Sequence, residues 1–243
     1  MNLFESMNCF HYYLCRRLGG GREIYMNADV KTAILYIMEH HMDTIMEKHG
    51  FKRRGNSLNY IRVVGTTRQK IEMSCYSHPS YYPGTLAHIY PFYYVLYPEI
   101  NKVAQNLISD MDLALKDIGN WNKTFNQPIQ FAYSGTEQWV LLTNEKSEAD
   151  VIAKKIIIFL EQHIIPFLDE LKTIDGYIDT YLQRDERIRK DDDFYFFIAC
   201  AYAIRQEYAK GLEVLEQRFR TPSSREIYRK AFEFLESKNS NNL

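Results

Sequence analysis

An α+β fold is what this sequence predicts: a small antiparallel sheet with helices packed on one face, followed by a C-terminal helical region. Three observations carry that reading. Apolar residues at helical spacing run from Val30 to a stop at Gly50, and two short runs that alternate polar and apolar residues follow. Beyond Thr143 the pattern turns helical and stays so.

Residues 1–25 stand apart from the rest as a flexible leader. Residues 10–18 suit a short helix, and Gly19-Gly20-Gly21 breaks it. Gly21-Arg22-Glu23 can be encoded by a purine-rich, ribosome-binding-like stretch, which makes Met26 a second candidate for the physiological start and the leader a non-native extension.

Residues 26–145 form the sheet region. Asp29 is the expected N-cap of a helix whose stripe is Val30, Ala33, Ile34, Ile37, Met38, His41, Ile45 and Met46, with Gly50 as the C-terminal stop. Strands are expected over residues 58–64 and 68–76, joined through Gly65-Thr66-Thr67. In the second, Gln69, Ile71, Met73 and Cys75 alternate with Arg68, Lys70, Glu72 and Ser74, giving one buried and one wet face. A loop over residues 77–85, with Pro79, Pro83 and Gly84, leads to a third strand over residues 88–96, where Pro91 forces an edge or a bulge. A helix over 99–118 ends at Gly119, and residues 129–133 and 139–143 suggest another hairpin around Ser134-Gly135-Thr136.

Residues 146–237 are helical and pack on the sheet region. Ser147-Glu148-Ala149-Asp150 resembles a capping box, Pro166 opens a second helix, and residues 174–183 make a third. Residues 194–219 suit a helical hairpin, and Ser223-Ser224-Arg225-Glu226 caps a last helix. One such hairpin is too few for a solenoid, which needs about three stacked units. Residues 238–243 are a disordered polar tail.

Composition bounds the function classes. Of 243 residues, 46% are hydrophobic and 25% charged, with a formal net charge of -1, so no global field exists to hold a polyanion. Cys9, Cys15, Cys75 and Cys200 match no zinc spacing and no disulfide framework, which points to a reducing, cytoplasmic setting. No apolar run reaches the roughly 20 residues of a membrane-spanning helix.

The order of elements is similar to an uncharacterised bacterial family, domain of unknown function 4304. The residues that carry the likeness are Gly50-Phe51-Lys52-Arg53-Arg54-Gly55, Gln69-Lys70-Ile71 and Ile165-Pro166-Phe167-Leu168, over residues 29–219. The resemblance implies a bacterial origin and this fold. It implies no activity or catalytic residue, and the tyrosine-rich stretch 76–97 is no part of its pattern.

Several constellations resolve into plain structure. Glu39, His40, His41, Asp43, Glu47 and His49 read as a string of ligands, but His41 and His49 lie about 12 Å apart along a helix, too far for one ion. A solvated polar face is expected there, with no metal. Cys75 shares the inward alternation and should be a core residue, not a nucleophile beside His78. Gly19-Gly20-Gly21-Arg22 lacks the Gly-Lys-Ser/Thr ending of a phosphate loop. No cofactor and no catalytic residue is expected.

What remains is recognition. Tyr60, Arg62, Arg68 and Lys70 on the first hairpin, with Tyr76, His78, Tyr81 and Tyr82 in and beside the tyrosine loop, are the expected binding residues. The expected function is non-enzymatic protein binding, with an immunity or antitoxin-like role as its specific form. A nucleic-acid-binding hairpin is the alternative, and a small-molecule enzyme of unassigned class the second.

Overall fold

The computed structural model describes residues 27–108, 123–133 and 138–240. The leader, the far part of the helix expected over 99–118 and the Ser134-Gly135-Thr136 turn lie outside these residues. The architecture is α+β, with antiparallel strands and a C-terminal helical region.

Helix α1 (Ala28–Ile37) continues through a π-helical turn (Met38–Met42) into α2 (Asp43–Lys48). Its cap is Asn27 rather than Asp29. Asn27 has non-helical backbone angles, and its side chain accepts from the Asp29 N–H at 3.1 Å. Gly50 closes the helix with φ +80°, while the Phe51 N–H reaches back to the Met46 carbonyl.

Five strands form the larger sheet: β1 (Lys52–Arg53), β2 (Asn59–Val64), β3 (Thr67–Glu72), β6 (Phe92–Leu96) and β7 (Phe125–Pro128), in that spatial order. A second sheet takes β4 (Cys75–Ser77), β5 (Ala87–Ile89) and β8 (Trp139–Leu141). Both long strands expected from the sequence therefore break at one level. Met73 and Ser74 interrupt the first, and Tyr90 and Pro91 interrupt the second, with the Tyr90 N–H donating to the Ser74 carbonyl at 2.7 Å. Proline cannot donate to a ladder, so pairing must restart beyond it.

The hairpin expected over residues 129–143 does not form. Residues Ile129–Ala132 make a 3-10 turn, β7 pairs with β6, and β8 joins the other sheet beside β5.

Helix α3 (Pro98–Leu107) lies against α7 (Asp192–Ile204). The C-terminal region begins with α4 (Lys146–Phe159), a π-helical turn (Leu160–Ile164) and α5 (Ile165–Glu170), then α6 (Ile174–Leu182). After α7 come α8 (Tyr208–Arg218), α9 (Pro222–Ile227) and α10 (Arg229–Ser240), which extends helix into the segment read as a polar tail. Glu148 acts outside its own helix: its carboxylate accepts from the Leu142 and Thr143 N–H groups at 2.7 and 2.8 Å.

Helices cover one face of the larger sheet. Tyr60, Gln69, Ile71, Tyr93 and Val95 are fully buried there. Gln69 donates to the Leu168 carbonyl at 2.6 Å, Tyr97 donates its hydroxyl to the Leu171 carbonyl at 2.8 Å, and the Tyr93 and Phe167 rings stand edge to face. The opposite face carries Ile61 and Val63, 48% and 59% exposed.

Candidate functional site

Strand alternation builds the most distinctive surface. From Ala87 to Tyr97 the odd positions point inward and are buried: Ala87, Ile89, Pro91, Tyr93, Val95 and Tyr97. The even positions His88, Tyr90, Phe92 and Tyr94 stand on the outer side. Tyr90, Phe92 and Tyr94 are half-exposed, and His88 is covered.

These rings form a continuous strip across both sheets. Tyr81 and Tyr82 touch edge to face, with centroids 5.1 Å apart, and both sit edge-on to His88 at 5.8 and 5.7 Å. Tyr76, directly opposite His88 on β4, contacts Tyr81 and Tyr90. From His88 the strip runs to Tyr90, to Phe92 and to Tyr94 at centroid steps of 5.6, 5.4 and 6.2 Å. Lys70 closes its far end, its Nζ 3.7 Å from the Tyr94 ring centroid and 2.6 Å from Glu72 Oε2.

His88 organises the tyrosine loop. Its Nδ1 lies 2.9 Å from the Tyr81 hydroxyl, and the loop turns through bonds from Tyr82 N–H to the Pro79 carbonyl and from Thr85 Oγ1 to the Tyr82 carbonyl. Tyr81 and Tyr82 consequently keep part of their surface in water. Beside them His78, Pro79, Tyr82, Pro83, Leu86 and Leu142 line an open concavity of about 360 Å³.

Two of the eight expected binding residues lie elsewhere. Tyr60 is fully buried, its hydroxyl 2.7 Å from Asp43 Oδ1, and Arg62 is 6% exposed, with two guanidinium nitrogens donating to Gln69 Oε1. Register explains the correction. Tyr60 opposes Ile71 and Arg62 opposes Gln69, so all four share the inner face, and Ile61 and Val63 take the outer one. Arg68, Lys70, Tyr76, His78, Tyr81 and Tyr82 do lie at the surface. Sequence reasoning did not single out Tyr90, Phe92 and Tyr94, because Pro91 hides which alternate set faces outward.

The histidine-rich helix disperses its candidate ligands. His41 Nε2 lies 2.7 Å from Asp150 Oδ1, which also accepts the Tyr36 hydroxyl at 3.0 Å. Asp43 instead binds Arg53, and His49 Nε2 approaches Glu161 at 3.4 Å. The His41 bond is the main cause that holds Asp150 below the usual carboxylate range. Among the described residues, no group of three or more His, Cys, Asp or Glu is placed to hold a metal ion.

Cys75 is buried and unpaired, and burial pushes its thiol up to about 12, far from a reactive thiolate. Among the described residues no helix is long and apolar enough to cross a membrane. Comparison of the chain with protein-family models, curated proteins and solved structures finds no match.

Proposed function

We propose that this chain is a non-enzymatic protein-binding module that uses the outer aromatic strip as its contact surface. The observation that supports the reading is the alternation of half-exposed Tyr90, Phe92 and Tyr94 with buried Tyr93, Val95 and Tyr97 on one strand run. An ordinary outer sheet face carries polar side chains there. Tyrosine and phenylalanine provide large, rigid contact area with little rotamer entropy to lose.

Ring geometry favours a protein over nucleic acid. Bases stack on open, parallel ring faces. Here Tyr90 and Phe92 meet at 74°, Tyr81 and Tyr82 at 62°, and Lys70 covers Tyr94.

An immunity or antitoxin-like role in the bacterial cytoplasm is the specific form of this proposal. The resemblance to domain of unknown function 4304 supports a bacterial origin. The free thiols of Cys75 and Cys200 accord with a reducing compartment. The test is quantitative affinity capture from the source cells with wild type and the Tyr82→Ala/Phe92→Ala variant. A partner retained by wild type should be lost by the variant and should arrest growth when expressed without this chain. Equal recovery of every partner by both proteins overturns the proposal.

A further inference from the structure

We infer that the outer face of the five-stranded sheet receives an acidic, apolar-rich segment of another protein, an inference that rests on the protein-binding reading above. One straight row of directly opposed residues crosses all five strands on this face: Lys52, Ile61, Lys70, Tyr94 and Asn126. At a strand spacing of about 4.8 Å the row is roughly 19 Å long. Val63, Arg68 and Leu96 lie in the row on one side, and Asn59, Glu72, Phe92 and Pro128 in the row on the other.

Charge on this face is one-sided. Glu72 is the one carboxylate in the three rows, and it is engaged by Lys70 Nζ at 2.6 Å and by Ser74 Oγ at 3.1 Å. Lys52 and Arg68 are exposed and form no ion pair among the described residues, and the same holds for Arg54 beside β1. The whole chain has a formal charge of -1, so this cationic surplus belongs to the face and not to the molecule. A sheet face that combines uncompensated cations with exposed Ile61 and Val63 matches a surface of carboxylates interspersed with apolar side chains.

Two other occupants fit less well. A second copy would place Lys52 and Arg68 against the same cations across a two-fold axis, which repels. A single-stranded nucleic acid would meet the cations but not the aliphatic Ile61 and Val63, and it would find the Tyr94 ring already under Lys70.

Fluorescence anisotropy with three labelled probes tests the inference: a peptide alternating Glu or Asp with Leu, Ile or Phe, its Gln/Asn analogue, and an oligo-dT of equal charge. The acidic peptide should bind about tenfold more tightly than its amide analogue at low salt, and the gap should narrow as salt rises. Lys52→Glu/Arg68→Glu, both at exposed positions, should remove about tenfold from acidic-peptide affinity and leave the amide peptide unchanged.

Equal binding of the two peptides, lost in Tyr90→Ala/Phe92→Ala, would overturn the acidic preference and leave the protein-binding reading standing. Tighter binding of oligo-dT than of the acidic peptide would overturn both. Absence of binding by either peptide overturns the inference. So does a wild-type dimer in light scattering that Val63→Glu disperses, which would seat a second copy on the face.

Discussion

Arg62 and Gln69 face each other across β2 and β3 on the buried side of the sheet, and Arg62 Nε and Nη2 both donate to Gln69 Oε1, at 2.9 and 2.6 Å. The pair joins three parts of the fold. Gln69 Nε2 donates to the Leu168 carbonyl at the end of α5, and Arg62 Nη1 donates to the His49 carbonyl at the end of α2 and meets Asp169 at 2.8 Å. Cations favour helix C-termini, where carbonyls lack intrahelical partners.

Gln69→Leu should therefore destabilise the protein well beyond its change in volume. It leaves Nε and Nη2 of a buried guanidinium without the acceptor they share and the Leu168 carbonyl without its Gln69 donor, at a cost of about 2–3 kcal/mol. Arg68→Gln, one residue away on the wet face, should stay within about 0.5 kcal/mol of wild type. Urea midpoints at unchanged m-value measure both. Equal, small effects would show that the network contributes little.

Asp43 should make stability pH-dependent on the acid side. Bonds from Arg53 Nε and Nη2, at 2.9 and 2.6 Å, are the largest cause of its lowered pKa, opposed by burial and assisted by the Tyr60 hydroxyl. A carboxyl with a lower pKa folded than unfolded contributes stability above its unfolded value, about 3.9, and loses it as pH falls through the folded value. Asp43→Asn should cost about 1.5–3 kcal/mol near pH 7. The gap to wild type should close below about pH 4. A gap constant from pH 7 to pH 3 would remove Asp43 as the titrating group.

Two glycines should differ sharply on substitution by alanine. Gly50 holds φ +80° at a helix end, and a Cβ there would make ordinary contact at 3.4 Å with the movable Arg62 side chain, so the cost is the backbone strain of about 1 kcal/mol. Gly176 opens α6 against the end of α5, where a Cβ would lie 2.0 Å from the Glu170 carbonyl oxygen. Backbone must move to admit it, so the loss should exceed that at Gly50 even after the gain in helix propensity. Thermal midpoints rank the two, and Gly176→Ala as the milder change would refute the packing argument.

The inward set Gln69, Ile71, Met73 and Cys75 is legible from alternation, and all four are buried as that pattern requires. The preceding strand misleads the same logic. Tyr60 and Arg62 look like the wet side beside Ile61 and Val63, yet the polar pair is buried and the aliphatic pair exposed. Local sequence does not contain the reason. Tyr60 finds Asp43 and Arg62 finds Gln69, His49 and Asp169, partners 7 to 107 positions distant that satisfy their polar atoms. Pro91 signals a break, but not that strands on either side enter different sheets. The aromatic density of residues 76–97 marks the surface, while its outward members depend on register that only pairing sets.

Cys75 and Cys200 should resist thiol reagents for as long as the protein is folded. Both are buried, at 2% and 1% exposure, and burial raises both thiols, Cys75 to about 12. The thiolate is the reactive species, and access requires the core to open. Maleimide labelling followed by peptide mapping should find both unmodified under native conditions and both modified in denaturant. The labelling rate should rise with urea in step with global unfolding, since Cys75 lies where the sheets meet and Cys200 at the centre of α7. Rapid native labelling of Cys75 alone would instead show that the β4 edge, which carries Tyr76 of the aromatic strip, opens independently of the core, and the strip would then be a mobile surface instead of the rigid one that the binding proposal requires.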